Sequence, residues 1–177
     1  MSDHVKTHRL FFALWPSEQV KQSIIDVLSS LPPQVNGRAM QIQNLHATLH
    51  YVGRVTESTK DCMHSAAQSV KAEGFQLNLD RLGLFPKAKI FWMGAHNTTD
   101  QLIQLHKKLG IALQSCGFVV DKRAYAPHLT LLRKCRGPVP AEIEFSIPWR
   151  VEEFVLVESI TYQEGVKYKV IEKYPLT

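Results

Sequence analysis

The sequence predicts an α+β chain of two related halves facing a central cleft. The tetrapeptide His-x-Thr-Leu is written twice, within LHATLH (45–50) and HLTLLR (128–133). Each copy is preceded by the same order of parts, an apolar strand, a helix and a loop. The spacing nearly agrees: His46 stands 35 residues after Phe11, and His128 stands 37 after Phe91. Each copy is also followed, directly or at a distance, by an alternating strand that begins near a phenylalanine, Phe75 or Phe154. A pseudo-twofold duplication accounts for these observations, with residues 1–177 as one bilobal domain holding one motif in each half.

Taken in order, RLFFALW (9–15) is a short apolar run ended by Pro16 and reads as a buried strand. Val20, Ile24, Val27, Leu28 and Leu31 follow at helical spacing, with Ser17 as cap and Glu18 in the first turn, until Pro32-Pro33. Residues 36–38 read as loop and 42–52 as strand, closed by Gly53. A weaker helix runs through Met63, Ala66, Ala67 and Val70, over 57–72. Residues 75–85 alternate and read as one strand, and 87–95 as another. Thr98 to Gln101 matches a capping box, opening a helix through Leu102, Leu105, Leu109 and Leu113 to Gly117. A strand over 127–133, a Gly/Pro-rich loop, and final strands at 151–161 and 166–174 complete the chain.

Composition narrows the possibilities. A hydrophobic share of 45% and a charged share of 21% suit a soluble globular protein and argue against disorder. The three cysteines, Cys62, Cys116 and Cys135, are odd in number and lack CxxC spacing. They therefore predict no disulfide framework and no zinc finger, and suit a reducing cytoplasm. The opening apolar run is too short for a secretory leader, and no segment approaches the ~18–20 apolar residues of a membrane span. A net charge of +5 favours polyanionic partners without any Lys/Arg block of the kind that forms a DNA-binding arm.

The motif carries the chemistry. On a strand, side chains alternate faces, so His46 and Thr48 share one face while Leu45, Ala47 and Leu49 share the other. His128 and Thr130 share a face in the same way, opposite Leu129 and Leu131. A pseudo-twofold would then turn two imidazoles and two hydroxyls toward one spot. In-line displacement at phosphorus needs a base on one side and an acid on the other. Histidine serves either role near neutral pH, and hydroxyls can donate to non-bridging phosphate oxygens. No metal and no other cofactor is required.

The paired HxTL motifs, the RLFFAL start and the YAPHLTLLR stretch resemble the two-histidine phosphoesterases, specifically the bacterial 2′-5′ RNA ligase or RNA 2′,3′-cyclic phosphodiesterase group. The resemblance covers essentially the whole chain. It implies a bilobal α+β fold, with antiparallel sheets facing the cleft and helices outside. It also implies opening of a terminal 2′,3′-cyclic phosphate on RNA by water, leaving a 2′-phosphate, and reversible 2′-5′ joining of tRNA halves without a nucleotide cofactor. Carried over, His46 is the proton donor to the departing 3′ oxygen and His128 the acceptor that activates water. Thr48 and Thr130 hold phosphate oxygens.

The neighbours divide by type. Arg133 suits phosphate binding, but alternation turns it to the leucine side unless a bulge intervenes. The first motif has Tyr51 and no cation at the matching offset. Tyr125, and Phe12 or Phe11, are candidate platforms for a base, although one of the two phenylalanines belongs to the core. Lys122 and Arg123 are candidates for contact with an RNA backbone, against the default of a solvated basic loop. His50 falls on the His46 face by alternation; its spacing would suit a metal pair on a helix, not on a strand. His4, His8, His64, His96 and His106 read as surface residues. No GxxxxGK[ST] is present to bind ATP. The expectation is thus a monomeric, cytoplasmic, metal-independent phosphodiesterase for RNA ends. The rival readings are a two-histidine enzyme for another small cyclic nucleotide or oligonucleotide end, and a non-catalytic module that binds RNA ends.

Overall fold

A computed structural model of the chain describes residues 6–140 and 143–177, and shows mixed α+β architecture built on antiparallel strands. The first half opens with β1 (Thr7–Leu14), α1 (Glu18–Ser29) and the short β2 (Asn36–Ala39). After a 3₁₀ turn (Ile42–Asn44) come β3 (Ala47–Thr56) and α2 (Glu57–Gln68). Then follow β4 (Phe75–Leu79), β5 (Arg81–Phe85), β6 (Ile90–Gly94), α3 (Asp100–Leu113) and β7 (Leu129–Arg136). The chain closes with β8 (Ile147–Val151), β9 (Glu153–Tyr162) and β10 (Gly165–Pro175).

One eight-stranded sheet crosses both halves in the order β10-β9-β1-β3-β7-β6-β5, with β2 also on β7; β4 and β8 form a separate pair. The two halves join where β3 meets β7, and the register there is one residue pair, Ala47 with Leu129. Each half centres on the same hairpin-like pair, β1 with β3 and β6 with β7. The first half is completed from the far end of the chain, because β9 pairs with β1 and β10 with β9. The repeat therefore holds for the motif units, while the C-terminal strands are shared out by space and not by sequence order.

The helices lie on the face away from the motifs. Their apolar stripes, Ile24 on α1, Met63 on α2, and Leu102, Leu105, Leu109 and Leu113 on α3, are buried. They join one core with Leu10, Phe12 and Leu14 of β1, Leu49 of β3 and Leu129 and Leu131 of β7. Burial of such side chains stabilises by about 1.5–3 kcal/mol each. The caps are local: the Ser17 hydroxyl accepts from the Val20 amide, as expected, and Thr56 from Thr59. For α3 the cap is Thr99, which accepts from Leu102. The expected box is thus displaced by one residue, and Gln101 is not at its N3 position.

Several expectations are corrected. Residues 75–85 form two strands in two sheets, because the chain turns at Asp80, whose carboxylate accepts from the His96 amide and ring. Residues 36–39 pair as a strand rather than a loop. His8 is buried, its two ring nitrogens each 2.6 Å from a carboxylate, Glu57 at the start of α2 and Glu158 on β9. His64 meets the Tyr174 hydroxyl, and His106 is half-buried in a stack of rings. His4 lies outside the described residues.

The cysteine reading is also overturned. Cys62 on α2 and Cys116 after α3 form a disulfide, leaving Cys135 as a buried free thiol. Residues 54 apart give no sequence signal, but the packing of α2 on α3 brings their Cα atoms to 5.8 Å. Such pairs are rare in the cytosol, so the cysteines no longer argue for a reducing compartment. Among the described residues no helix is long and apolar enough to cross a membrane. A bridge closing a loop of this length contributes at most about 4 kcal/mol by chain entropy. Thiol titration of the unfolded, unreduced chain is expected to find Cys135 alone, and added reductant is expected to lower the urea midpoint. Three reactive thiols before reduction would show that the pair is not formed.

Candidate active site

A hollow of about 270 Å³ lies where the two halves meet, lined by Arg9, Phe11, His46, Thr48, Tyr51, His128, Thr130, Arg133 and Tyr168 among others. Both histidines and both threonines of the repeated motif face it. The cause is the antiparallel pair Ala47–Leu129. Such a pair has a local twofold axis, which exchanges His46 with His128 and Thr48 with Thr130. Each histidine immediately precedes its strand, and the two face the same hollow from either side of that axis.

The motif's leucine has a part that alternation does not foresee. Opposite β3, Phe12 pairs with His50 and Ala13 with Thr48, so Leu49 is an extra, bulged residue. Opposite β7, Phe91 pairs with Leu132 and Trp92 with Thr130, so Leu131 is the extra residue. Both copies bulge at the same letter. A bulge resets the alternation, and both leucines remain buried. The residue after each bulge, His50 or Leu132, turns into the core, and the next, Tyr51 or Arg133, turns to the cleft.

This reset settles two geometric questions. Arg133 reaches the cleft, as a bulge would require. His50 does not share the His46 face; its Nε2–H donates to the His106 carbonyl at 2.8 Å, and its ring stacks on His106 at 4.1 Å. Among the described residues no three of His, Cys, Asp and Glu gather in a way that would hold a metal ion. Tyr51 occupies the position equivalent to Arg133, and Arg9 supplies the missing cation, its Nε donating to the Tyr51 hydroxyl at 2.8 Å. Sequence reasoning missed Arg9, because it comes from a neighbouring strand and no spacing ties it to either motif.

The imidazoles are held alike. His46 Nδ1 is 2.6 Å from the Asn44 carbonyl, and His128 Nδ1 is 2.8 Å from the Ala126 carbonyl, two residues back in each case. A carbonyl only accepts, so Nδ1 carries the proton and Nε2 of the neutral ring is left as an acceptor. On His46 that nitrogen accepts a hydrogen bond from the Thr48 hydroxyl at 3.1 Å. Aromatic rings surround His46, with Phe11 at 4.7 Å, Trp15 stacked at 5.6 Å and Tyr168 edge-on at 5.3 Å. Burial, opposed by the Asn44 bond and reinforced by Arg133 and His128, lowers its pKa to about 4. His128 meets the edge of Phe85.

Two expected contacts are placed elsewhere. Phe12 is fully buried against Phe154 and Tyr174, because the even-numbered residues of β1 face the helices. It is not a substrate contact; Phe11 lines the hollow instead. Tyr125 lies in an adjoining groove, stacked on His106 at 3.9 Å, and its hydroxyl donates to the Thr48 carbonyl at 3.0 Å. That bond ties the loop before the second motif to the strand of the first. Lys122 and Arg123 are exposed, with Arg123 paired to Asp121.

This architecture, two symmetry-related HxTL strands over one anion-sized hollow, is that of a two-histidine phosphoesterase. A sequence profile of the 2′-5′ RNA ligase superfamily matches residues 16–162, and the chain belongs to that family. It is 29% identical over 170 residues to the RNA 2′,3′-cyclic phosphodiesterase of Escherichia coli (strain K12), covering 96% of this chain and 97% of that one. The crystal structure of E. coli LigT complexed with 3′-AMP superposes with a TM-score of 0.88 at 29% identity, over 97% and 99% of the two chains. A protein of Thermus thermophilus, TT0787, shares the fold with a TM-score of 0.81 at 23% identity, over 95% and 97%.

Two measurements probe the site's wiring. Tyr125→Phe keeps the stack but loses the bond to Thr48, and is expected to cost about 0.5–1.5 kcal/mol in urea unfolding; an unchanged midpoint would deny the tie. In the free protein His46 is expected to titrate near 4 by NMR. An anion in the hollow favours the imidazolium, so saturating inorganic phosphate should move that titration upward. A titration unmoved by phosphate would separate His46 from the anion site.

Proposed function

We propose that the chain hydrolyses RNA 2′,3′-cyclic phosphate ends to a 2′-phosphate, without metal or cofactor. The observation that carries this reading is the pair of matched imidazoles. Each is locked with its Nε2 free of hydrogen in the neutral ring, on opposite sides of one hollow rimmed by two threonines and Arg133. Family membership and relatives named RNA 2′,3′-cyclic phosphodiesterase agree with it.

In this reading the cyclic phosphate sits between His46 and His128. Thr48, Thr130 and Arg133 donate to its non-bridging oxygens and stabilise the charge that builds at the pentacoordinate state. A water attacks phosphorus in line and loses a proton to His128 Nε2. The P–O3′ bond breaks, and the leaving 3′ oxygen takes a proton from His46 Nε2. The product is a 2′-phosphate beside a free 3′ hydroxyl. If a 5′ hydroxyl of a second RNA replaces water, the same displacement makes a 2′-5′ linkage, and running it backward cleaves that linkage.

His46 enters neutral, since burial lowers its pKa to about 4. The anionic substrate raises its proton affinity, and the imidazolium forms as the acid is needed. Accordingly the limb that reports His46 should lie higher in the pH profile of kcat than in that of kcat/KM. One sheet crosses both halves and one hollow takes residues from each, which supports a single bilobal domain; a monomer is the proposed state. Reaction on RNA fragments is assigned to the cytoplasm, where reducing conditions would act on Cys62 and Cys116.

His46→Ala and His128→Ala are each expected to lower hydrolysis in EDTA by about 10²–10⁴-fold while keeping the native circular dichroism. The product should carry its phosphate on the 2′ oxygen by ³¹P NMR. Undiminished turnover in either variant, or a 3′-phosphate product, contradicts the reading. An RNA end assayed beside a small cyclic nucleotide separates this enzyme from its rivals, and binding without turnover would mark the non-catalytic module.

A further inference from the structure

Beside the catalytic hollow lies a second one of about 390 Å³, bounded by Arg9, Arg38, Gln41, Asn44, Arg133 and Tyr168 among others. The two share Arg9, Arg133, Ser159 and Tyr168, so they form one continuous groove. Arg38 belongs to the second alone. We infer that this second hollow binds the phosphodiester next to the reacting phosphate, so that the protein prefers RNA ends of two or more nucleotides to cyclic mononucleotides. The inference rests on the proposed reaction at the first hollow and adds to it a subsite for the RNA chain.

The arrangement of charge carries the argument. Across the β2–β7 pair, Arg38 stands directly opposite Arg133. Like charges in opposite positions are destabilising on a sheet. Arg9 in turn stands opposite Arg54 across β1 and β3. Among the described residues none of Arg9, Arg38 and Arg133 has a carboxylate within salt-bridge distance. Three guanidiniums are thus collected around one groove with no internal anion to offset them. A phosphate bound there would receive charge-assisted, fork-shaped hydrogen bonds.

The strand that delivers Arg38 has little else to do. All four residues of β2 are exposed, so it buries no apolar face that would call for pairing with β7. Gly37 lets it approach: a Cβ there would stand 2.9 Å from the Arg133 carbonyl oxygen. The close approach sets Arg38 beside Arg133, so that the second hollow has both and the first has Arg133 alone of the two. A single terminal cyclic phosphate set between His46 and His128 makes no use of Arg38, which lines only the second hollow. The linkage on the 5′ side of that nucleotide is the next anion along the chain.

The test compares Arg38→Gln with the wild-type chain on mono- and dinucleotides. Binding of a nucleoside 2′-phosphate, and of a dinucleotide ending in a 2′-phosphate, is measured by calorimetry at fixed salt. Hydrolysis of the matching 2′,3′-cyclic compounds is measured alongside. The wild-type chain is expected to favour the dinucleotide by about 10–100-fold in Kd and kcat/KM, the range for charge-assisted bonds to one phosphate. Arg38→Gln should remove most of that preference and leave the mononucleotide values unchanged, and Arg38→Lys should restore part of it. A dinucleotide with an uncharged methylphosphonate linkage should behave as a mononucleotide does. Equal handling of the two lengths by the wild-type chain, or an intact preference in Arg38→Gln, overturns the inference. Loss of hydrolysis with the length preference in binding intact would overturn the proposed reaction and not the subsite.

Discussion

The site depends on one contact between strands, the antiparallel pairing of Ala47 with Leu129. Pairing at a single position would do little for stability, and the core beneath it supplies that instead. What the pair supplies is an axis. Residues before and after it on the two strands are exchanged by a local twofold, so a motif written the same way on both strands yields two chemically opposed halves of one site. Under the proposed in-line displacement, the duplication of His-x-Thr follows from that geometry. In-line displacement has two sides, and a twofold axis passing between them serves both with the same letters.

The fourth letter is explained by a different constraint. Leucine at Leu49 and Leu131 is the bulged residue of each strand, held by burial in the core. Without a bulge, the residue five positions after each histidine would face the helices. With it, Tyr51 and Arg133 join the cleft, and the halves can differ there while remaining alike at the motif. Arg9 bonded to Tyr51 in one half and Arg133 in the other restore an approximate balance of cations about the axis. The shared geometry thus ends at the bulge, and the asymmetry that distinguishes the two sides begins beyond it.

What was legible in the sequence follows the same division. Periodicity located α1 with its Ser17 cap, the motif strands and the alternation of His46 with Thr48, because these are local properties of the chain. The resemblance then named the family that the sequence profile confirms. Non-local pairings were hidden: β9 completing the first half, the Cys62–Cys116 bridge and the burial of His8 between Glu57 and Glu158. Phe12 was misplaced because a strand apolar on both faces does not say which face meets the helices. His50 was misplaced because a bulge is invisible to a period-two reading. The Nδ1 bonds to Asn44 and Ala126 were missed as well, although the same two-residue offset in both copies was a signal available in principle.

In the proposed reaction, the electrostatics of the groove tie acid catalysis to the charge of the substrate. His46 is packed among Phe11, Trp15 and Tyr168, and this burial, together with the nearby Arg133 and His128, opposes a positive imidazole. The arginines cannot lose their charge at any relevant pH, so the histidine is the group that yields and stays neutral. A bound phosphate reverses that balance by placing negative charge between the cations. In the proposed reaction, the proton that the leaving oxygen needs is then held most firmly when the anion is in place. The substrate's own charge, drawn in by Arg9 and Arg133, supplies in that proposed reaction the change in proton affinity that makes the acid.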